Sequence, residues 1–513
     1  MPELNAPPID TYEQRRKARG NAKPDVREKP WTDINAARRE LFEDGSEFRP
    51  TSRDEIVGID NVLERVDRVV HWLANAKDYL VHGARIEPGI ILEGLPGTGK
   101  TSVCRYIATA SGAHFINVRD WPHAGALYTD TDIRELFNAA RAHYAATEQP
   151  VILFWDEFEN AAVERGAASP EQVATVSQLT AELDGIHGKN EGLLLVGCTN
   201  YIYGIDAALK RPGRMGLQIE FHAPDRRGKR LILEHYLAGY NTRDAIDTET
   251  LSFFFDQNAT AADIEEACVE AWTFAVHRAL QAENAAVAPF LTQADLISVF
   301  ITRLVGPPVS FLNLNDDARL RVAIHEVGHA LAACIFGVPM RLITVQPGKK
   351  SLGRVMTAEV EDHIATVEEM EDHIRVSLGS LAAEEVTGHP TLLGARGDVA
   401  QANQMAARLV DSLYSGRRTG LFHSGQAGDY RASGGGGVFS NVSDDSKRCS
   451  DLDIRELLDD ALADVRAALA NVGEGYLRAI AEEVNTRVTL TGAEFASVVT
   501  AVTGVTNLTQ YRA

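Results

Sequence analysis

Two short stretches of this 513-residue chain bring together side chains that could each drive a hydrolysis. In the first, Gly94-Leu95-Pro96-Gly97-Thr98-Gly99-Lys100-Thr101, the glycines let backbone N–H groups approach a run of phosphates. Lys100 would reach the β- and γ-oxygens of ATP, and Thr101 would hold Mg²⁺. The expected nucleotide contacts are therefore Pro96, Gly97, Thr98, Gly99, Lys100, Thr101 and Ser102. A glycine-rich turn without a ligand is the bland alternative. It loses weight because the loop follows the apolar run Ile90-Ile91-Leu92 and opens a helical pattern.

The second stretch is His325-Glu326-Val327-Gly328-His329. Four residues apart in a helical context, the two imidazoles share one face, one turn apart. That spacing suits two ligands to Zn²⁺, and Glu326 can reach a water at the metal as general base. Two solvated histidines on a helix are the bland alternative for so short a pattern. A third ligand is needed, and spacing leaves Asp398, Glu384, Glu385, His363 and His373 all open.

Further carboxylates support the first stretch. The apolar run Val151–Trp155 ends in Asp156 and Glu157, placed to join the Mg²⁺ shell and to polarise an attacking water. Another apolar run, Leu193–Gly197, leads to Asn200, whose amide could touch the γ-phosphate or that water. Taken alone, Asn200 would be an ordinary turn residue.

These residues need a scaffold. Residues 1–53 mix both charges with prolines and read as largely disordered, with one helix expected over Trp31–Phe42. Residues 54–225 alternate β-type runs with helical stretches, an α/β pattern. Ile90–Leu92, Phe115–Val118, Val151–Trp155 and Leu193–Gly197 are expected as strands of a parallel sheet. Residues 226–305 read as a helical domain, clearest at 230–240 and 262–282. The breaker Gly306-Pro307-Pro308 opens a last domain, 306–513, mainly helical with a β-like stretch at 342–346. Within it, 423–450, with Gly434–Gly437, reads as a mobile loop.

A formal charge of −21 argues against nucleic acid or an anionic membrane as the main partner. Five scattered cysteines read as reduced thiols of an intracellular protein. No run approaches the roughly 18 to 20 apolar residues that span a bilayer. The expectation is a soluble, cytoplasmic protein without an integral membrane segment, with peripheral membrane association left open.

With these residues in place, 54–225 resembles the AAA+ ATPases. Ala208-Leu209-Lys210-Arg211-Pro212-Gly213-Arg214 is similar to that family's arginine-finger segment. The resemblance implies that Arg211 and Arg214 reach the γ-phosphate held by a neighbouring subunit in a ring. Val57-Gly58-Ile59-Asp60 is similar to the loop that contacts adenine, and Ala259–Ile264 to the start of the lid helix. Leu320–Ala333, Gly379–Glu385 and Leu393–Ala402 resemble the peptidase of the FtsH family. That likeness implies Asp398 as third zinc ligand, with Glu384 and Glu385 in supporting positions. Leu183-Asp184-Gly185-Ile186 resembles the segment that signals between subunits.

The likeness runs from about Asp54 to about Val499, and the departures from it are informative. The transmembrane helices usual ahead of the ATPase are not found, so an anchor-assisted hexamer is in doubt. Where the family's pore loop presents an aromatic grip, this chain has Ala124-Gly125-Ala126-Leu127, flanked by Trp121 and Tyr128. A small residue there should pull weakly unless one of those two rings substitutes. The finger segment continues Arg214-Met215-Gly216, where the family usually has phenylalanine and aspartate. The resemblance implies an ATP-dependent zinc metalloendopeptidase that unfolds, translocates and degrades polypeptides as a homo-hexamer, with ATP, Mg²⁺ and Zn²⁺. The alternative is an ATP-driven remodeller or chaperone ring with a weak or regulatory peptidase.

Overall fold

The computed structural model describes residues 34–512 apart from 85, 124–127, 165, 167, 257, 282–287, 308–314, 359–365 and 414–443. Its contacts divide the chain into two compact units: residues up to Leu237 with 257–266, and residues 238–256 with those from Ala267 onward. Both are mixed in content. The first is built on a parallel sheet and the second mainly on helices.

In the first unit, β1 (Gly89–Gly94), β2 (His114–Asn117), β3 (Val151–Trp155), β4 (Leu193–Thr199) and β5 (Leu217–Phe221) pair in parallel in the order β2-β3-β4-β1-β5. The helices are α1 (Ile34–Asp44), α2 (Asp60–Ala74), α3 (Ala76–Val81), α4 (Lys100–Ser111), α5 (Asp130–Thr147), α6 (Pro170–Leu183) and α7 (Arg226–Leu237). The period of two sends alternate strand residues to opposite faces. Ile90, Leu92, Ile152, Phe154, Leu194 and Val196 share a core with Val62 and Val66 of α2 and Val103 and Ile107 of α4. Ile91, Leu153 and Leu195 share another with Ile133, Leu136 and Phe137 of α5 and Leu179 of α6. Both faces are covered, so the central strands read as unbroken apolar runs. All strand C-termini then point one way, and the phosphate loop, Asp156 and Asn200 follow three of them.

The sheet differs from expectation at its margins. The edge strand β5 was not anticipated; Leu-Gln-Ile-Glu-Phe alternates apolar with polar residues because only part of it is covered. β2 stops at Asn117, whose side chain accepts a hydrogen bond from the Arg119 amide and turns the chain into a short 3₁₀ segment. Order also begins earlier than residue 54. Helix α1 buries Ala37, Arg38 and Phe42, and the chain after it follows the edge strand β2 through Ser46 N–H to Phe115 O (2.9 Å). Residues 1–33 lie outside the described residues.

Four further helices follow: α8 (Thr248–Ser252), α9 (Ala261–Gln281), α10 (Gln293–Val305) and α11 (Asp316–Phe336). They are followed by α12 (Val367–Ser377), α13 (Gly379–Val386), α14 (Ala395–Leu413), α15 (Asp444–Val472), α16 (Glu474–Arg487) and α17 (Gly492–Thr503). Strands β6 (Met340–Thr344), β7 (Arg354–Thr357) and β8 (Thr489–Thr491) form an antiparallel sheet in the order β7-β6-β8. Helix α11 is buried on every side from Val322 to Ala333, as expected of a central core helix. Its neighbours contribute Ala382, Ala383, Leu469, Leu477, Ile480 and Phe495 to one core. Residues 444–450 belong to α15, which corrects the expectation of a loop reaching to 450; 423–443 lie outside the described residues. Among the described residues, no helix is long and apolar enough to cross a membrane.

Candidate functional site

The phosphate loop bends where glycine is required. Gly97 sits at φ +79°, and an added Cβ would meet Ala262 Cβ and Thr260 Oγ1 at 2.7 Å. A Cβ on Gly94 would meet the Phe221 carbonyl oxygen at 2.2 Å. The loop thus nests between β5 and the start of α9, whose Ala262 N–H donates to Gly97 O at 3.2 Å. Thr260 and Asp263 cap that helix through bonds of 2.8 and 2.7 Å, so the lid helix starts directly on the loop. Gly58 is likewise a point of backbone contact: a Cβ there would meet Gly228 O at 2.9 Å. Pro96 is exposed, and Thr98 Oγ1 donates to Leu95 O at 2.8 Å. Thr101 and Ser102 lie in the first turn of α4, both half-buried.

Lys100 Nζ donates to Gly94 O (2.7 Å), Leu95 O (2.9 Å) and Asn200 Oδ1 (2.9 Å), which joins two of the anticipated residues directly. Burial draws its ammonium below the usual range, and the nearby Cys198 and Asp156 oppose that shift. Asp156 and Glu157 leave β3 exposed to solvent. Glu157 has φ +51°, a left-handed conformation rare for a side chain of this size. Arg119 and Asn160 both reach its Oε2 at 3.5 Å.

The two arginines of the finger segment part company. Arg214 is committed within its own chain: Nε and Nη2 grip both oxygens of Asp184 at 2.6 and 2.8 Å, and Nη1 donates to Ala208 O at 2.6 Å. Arg211 is exposed and pairs with no carboxylate among the described residues. The aromatic flanks of the pore-loop position are also occupied. Trp121 is 2% exposed, under Phe42 and the Arg38 guanidinium. Tyr128 donates to Val118 O at 2.7 Å and packs against His123 and Trp155. Both rings are engaged within their own chain, which speaks against either one standing in for the aromatic grip; Ala124–Leu127 lie outside the described residues.

In the second unit, His325, His329 and Asp398 converge, their candidate ligand atoms all within 4.8 Å of one another. Asp398 Oδ2 lies 3.2 Å from His325 Nε2 and 3.3 Å from His329 Nε2. The Nδ1 atoms face away and are anchored. That of His325 meets Glu384 Oε1 at 2.8 Å, and that of His329 meets Val376 O at 2.7 Å. Anchoring Nδ1 fixes the ring so that Nε2 is presented to a metal. Glu384, 1% exposed, is itself held by the Leu392 N–H at 3.1 Å. Glu385 turns away and pairs with Arg466. His373 is no member of the group, and His363 lies outside the described residues.

The electrostatics call for a cation. Burial opposes charge on His325, yet the Asp398 and Glu384 carboxylates outweigh it and push the imidazole up to about 10. Burial would also raise Asp398, but the two histidines hold its carboxyl well below the usual range. Two nitrogens and one carboxylate oxygen, each imidazole braced from behind, fit a tetrahedral zinc ion with one position left open. A metal taking His325 has to displace its proton.

Glu326 is buried beside this group, and burial pushes its carboxyl up. Sequence reasoning missed two glycines that shape the site. The backbone of Gly353 lies against Glu326, where a Cβ would come within 2.7 Å of its Cγ and 2.8 Å of its Oε1. Gly328, inside the metal-binding pattern, meets Gly379: a Cβ on it would lie 2.4 Å from the Gly379 carbonyl oxygen. That close crossing of α11 and α13 brings Glu384 up behind His325. The bare side chain at the fourth position of His-Glu-Val-Gly-His was the available signal.

Residues 90–223 match the family described as "ATPase family associated with various cellular activities (AAA)", and residues 312–498 match "Peptidase family M41". The chain is similar to "ATP-dependent zinc metalloprotease FtsH 2" of Symbiobacterium thermophilum, 30% identical over 469 residues that cover 88% of this chain and 75% of that protein. It is also 30% identical over 468 residues to "ATP-dependent zinc metalloprotease FtsH" of Cutibacterium acnes, covering 88% of this chain and 63% of that one. For the protein of the same name from Thermus thermophilus the identity is 29% over 460 residues, covering 87% and 70% respectively.

Proposed function

The chain belongs to the FtsH family of ATP-dependent zinc metalloproteases, and on that premise we propose that it uses ATP hydrolysis to unfold polypeptides and pass them to the zinc site. The observation that carries the protease half is the convergence of His325, His329 and Asp398 with both Nδ1 atoms anchored. Bound zinc would supply Lewis acidity, lowering the pKa of a water at the site and polarising the scissile carbonyl. Glu326 takes the proton of the attacking water and returns it to the departing amine. Glu384 and the Val376 carbonyl keep the imidazoles from turning, and the Gly353 backbone keeps the Glu326 carboxylate aimed.

In the ATPase half, Lys100 exchanges the Gly94, Leu95 and Asn200 oxygens for phosphate oxygens, which are stronger partners for an ammonium. Thr101 and Asp156 would hold Mg²⁺, and Glu157 polarises the attacking water from its strained backbone position. We assign the trans-acting finger to Arg211 and give Arg214 a different part. Its bidentate pair with Asp184 joins the finger segment to Leu183–Ile186 within one subunit. The composite site implies a closed ring of identical subunits, six by family analogy. We assign contact with the polypeptide to the segment between Pro122 and Tyr128, by its position relative to the family's pore loop.

The zinc-loaded chain should cleave a short unstructured peptide without nucleotide, and degrade casein only when ATP is supplied. Mass spectrometry of the products, beside metal analysis of the enzyme, checks both halves. ATP turnover with zinc bound but no peptide cut would instead favour a remodelling ring with a silent peptidase.

A further inference from the structure

Helix α1 lies ahead of every motif considered so far, yet it is built into the ATPase unit, by Phe42 in the core and by the polar contacts of Arg38. Arg38 is 8% exposed. Its Nε donates to Pro122 O at 2.9 Å, and its two terminal nitrogens pair with Asp132 and Glu135 of α5. The guanidinium also lies 4.8 Å over the Trp121 ring, whose Nε1 is buried without a hydrogen-bond partner. Trp121 is therefore held by packing and by this cation. Asp132 does double duty. The carboxylate that pairs with Arg38 also accepts bonds from Thr129 N (3.0 Å) and Thr129 Oγ1 (2.7 Å), closing the N-terminus of α5.

One guanidinium thus bridges Trp121–Pro122, where the chain enters the proposed polypeptide-contacting segment, and Thr129–Asp132, where it leaves. The same two ends adjoin the hydrolytic carboxylates. Tyr128 packs at 5.1 Å on Trp155, the residue before Asp156, and Arg119, two residues before Trp121, reaches Glu157 at 3.5 Å. Trp121 and Tyr128 are both tied down, so neither ring carries force to a substrate by itself, and the segment between them takes that part. The stiffness of its two ends then decides how much of each hydrolytic movement reaches the polypeptide.

We propose that Arg38 is a positioning residue for translocation, clamping the two ends of the 121–132 segment so that ATP hydrolysis is coupled to movement of the polypeptide. This rests on the function proposed above. It gives the region ahead of the ATPase core a mechanical part that the nucleotide and zinc sites do not require.

The test compares wild type with Arg38→Met, which keeps the length and loses the donors, and with Arg38→Lys, which keeps the charge and loses the fork. Each is given ATP and a folded protein bearing an unstructured tail, and ATP consumed per molecule degraded is measured beside nucleotide-free cleavage of a short peptide. Arg38→Met should raise the ATP used per folded molecule about fivefold, the scale of a coupling residue outside the site, with peptide cleavage unchanged. Arg38→Lys should fall between. Glu135→Gln, which removes only the outer partner, should show a smaller increase of the same kind. It decides the matter if Arg38→Met loses ATP turnover altogether. Wild-type ATP use per molecule in Arg38→Met, or in Glu135→Gln in that second case, overturns the role of Arg38 alone. Failure of the wild-type chain to degrade the folded protein overturns the translocation reading together with it.

Discussion

Glu326→Gln is expected to lower peptide cleavage by roughly 10² to 10⁴-fold, the span of general acid–base catalysis, while zinc content and ATP turnover stay as in wild type. The amide matches the carboxylate in shape and fits the space left by Gly353, but it cannot accept the proton of the attacking water. The zinc ligands keep their supports, because His325 is braced by Glu384 and His329 by the Val376 carbonyl, neither of which Glu326 touches. Stability should not fall, since burial already disfavours charge at this position. Metal analysis and cleavage of a quenched peptide are the measurements. A Glu326→Gln chain with full zinc and undiminished cleavage would remove Glu326 from the mechanism.

Arg211→Ala should cost about 10³-fold in ATP turnover, the lower end of what an arginine finger contributes, without weakening nucleotide binding by the separate subunit. Arg211 is exposed and among the described residues pairs with no carboxylate, so its loss should leave the fold intact. Arg214→Ala should behave differently, because it breaks the bidentate link to Asp184 and exposes that carboxylate. Mixing makes the prediction sharper. Arg211→Ala subunits combined with Lys100→Ala subunits should regain part of the activity, since an intact Lys100 on one then faces an intact Arg211 on the next. Two inactive proteins that stay inactive when co-assembled would place the finger elsewhere.

How much of this could be read in the sequence depends on how local each feature is. The strands at 151–155 and 193–199 are buried throughout and, up to Cys198, carry no polar side chain, and such runs stand out. Strand β5 has a weaker pattern because it lies at the sheet edge. Strand β8 is three residues long and pairs with β6 across most of the peptidase unit, a distance no local pattern reveals. The two zinc histidines share one helical turn and declare themselves. The third ligand comes from another helix, so spacing left five candidates, and only the likeness to the family favoured Asp398 among them.

Packing then separates residues that look alike in sequence. Adjacent glutamates at 384 and 385 have opposite fates: one is buried against His325, the other turns out to Arg466. Arg211 and Arg214 share a motif, yet Arg214 is committed to Asp184 of its own subunit, while among the described residues Arg211 pairs with no carboxylate. Trp121 and Tyr128 look like substitutes for a missing aromatic grip, but both are tied down. For Glu384, Glu385 and Arg214 the deciding partner lies 59, 81 and 30 residues away along the chain.

The coupling of the two hydrolyses is the central claim. Its most direct test is one time course: zinc-loaded wild-type chain, a fluorescent folded protein with an unstructured tail, and ATP, followed by fluorescence and by mass spectrometry of the fragments. The expected result is loss of fluorescence together with conversion of whole molecules to small peptides, and only tail trimming when ATP is replaced by a non-hydrolysable analogue. Identical trimming of the tail with and without hydrolysable ATP, the folded body remaining fluorescent, would contradict it.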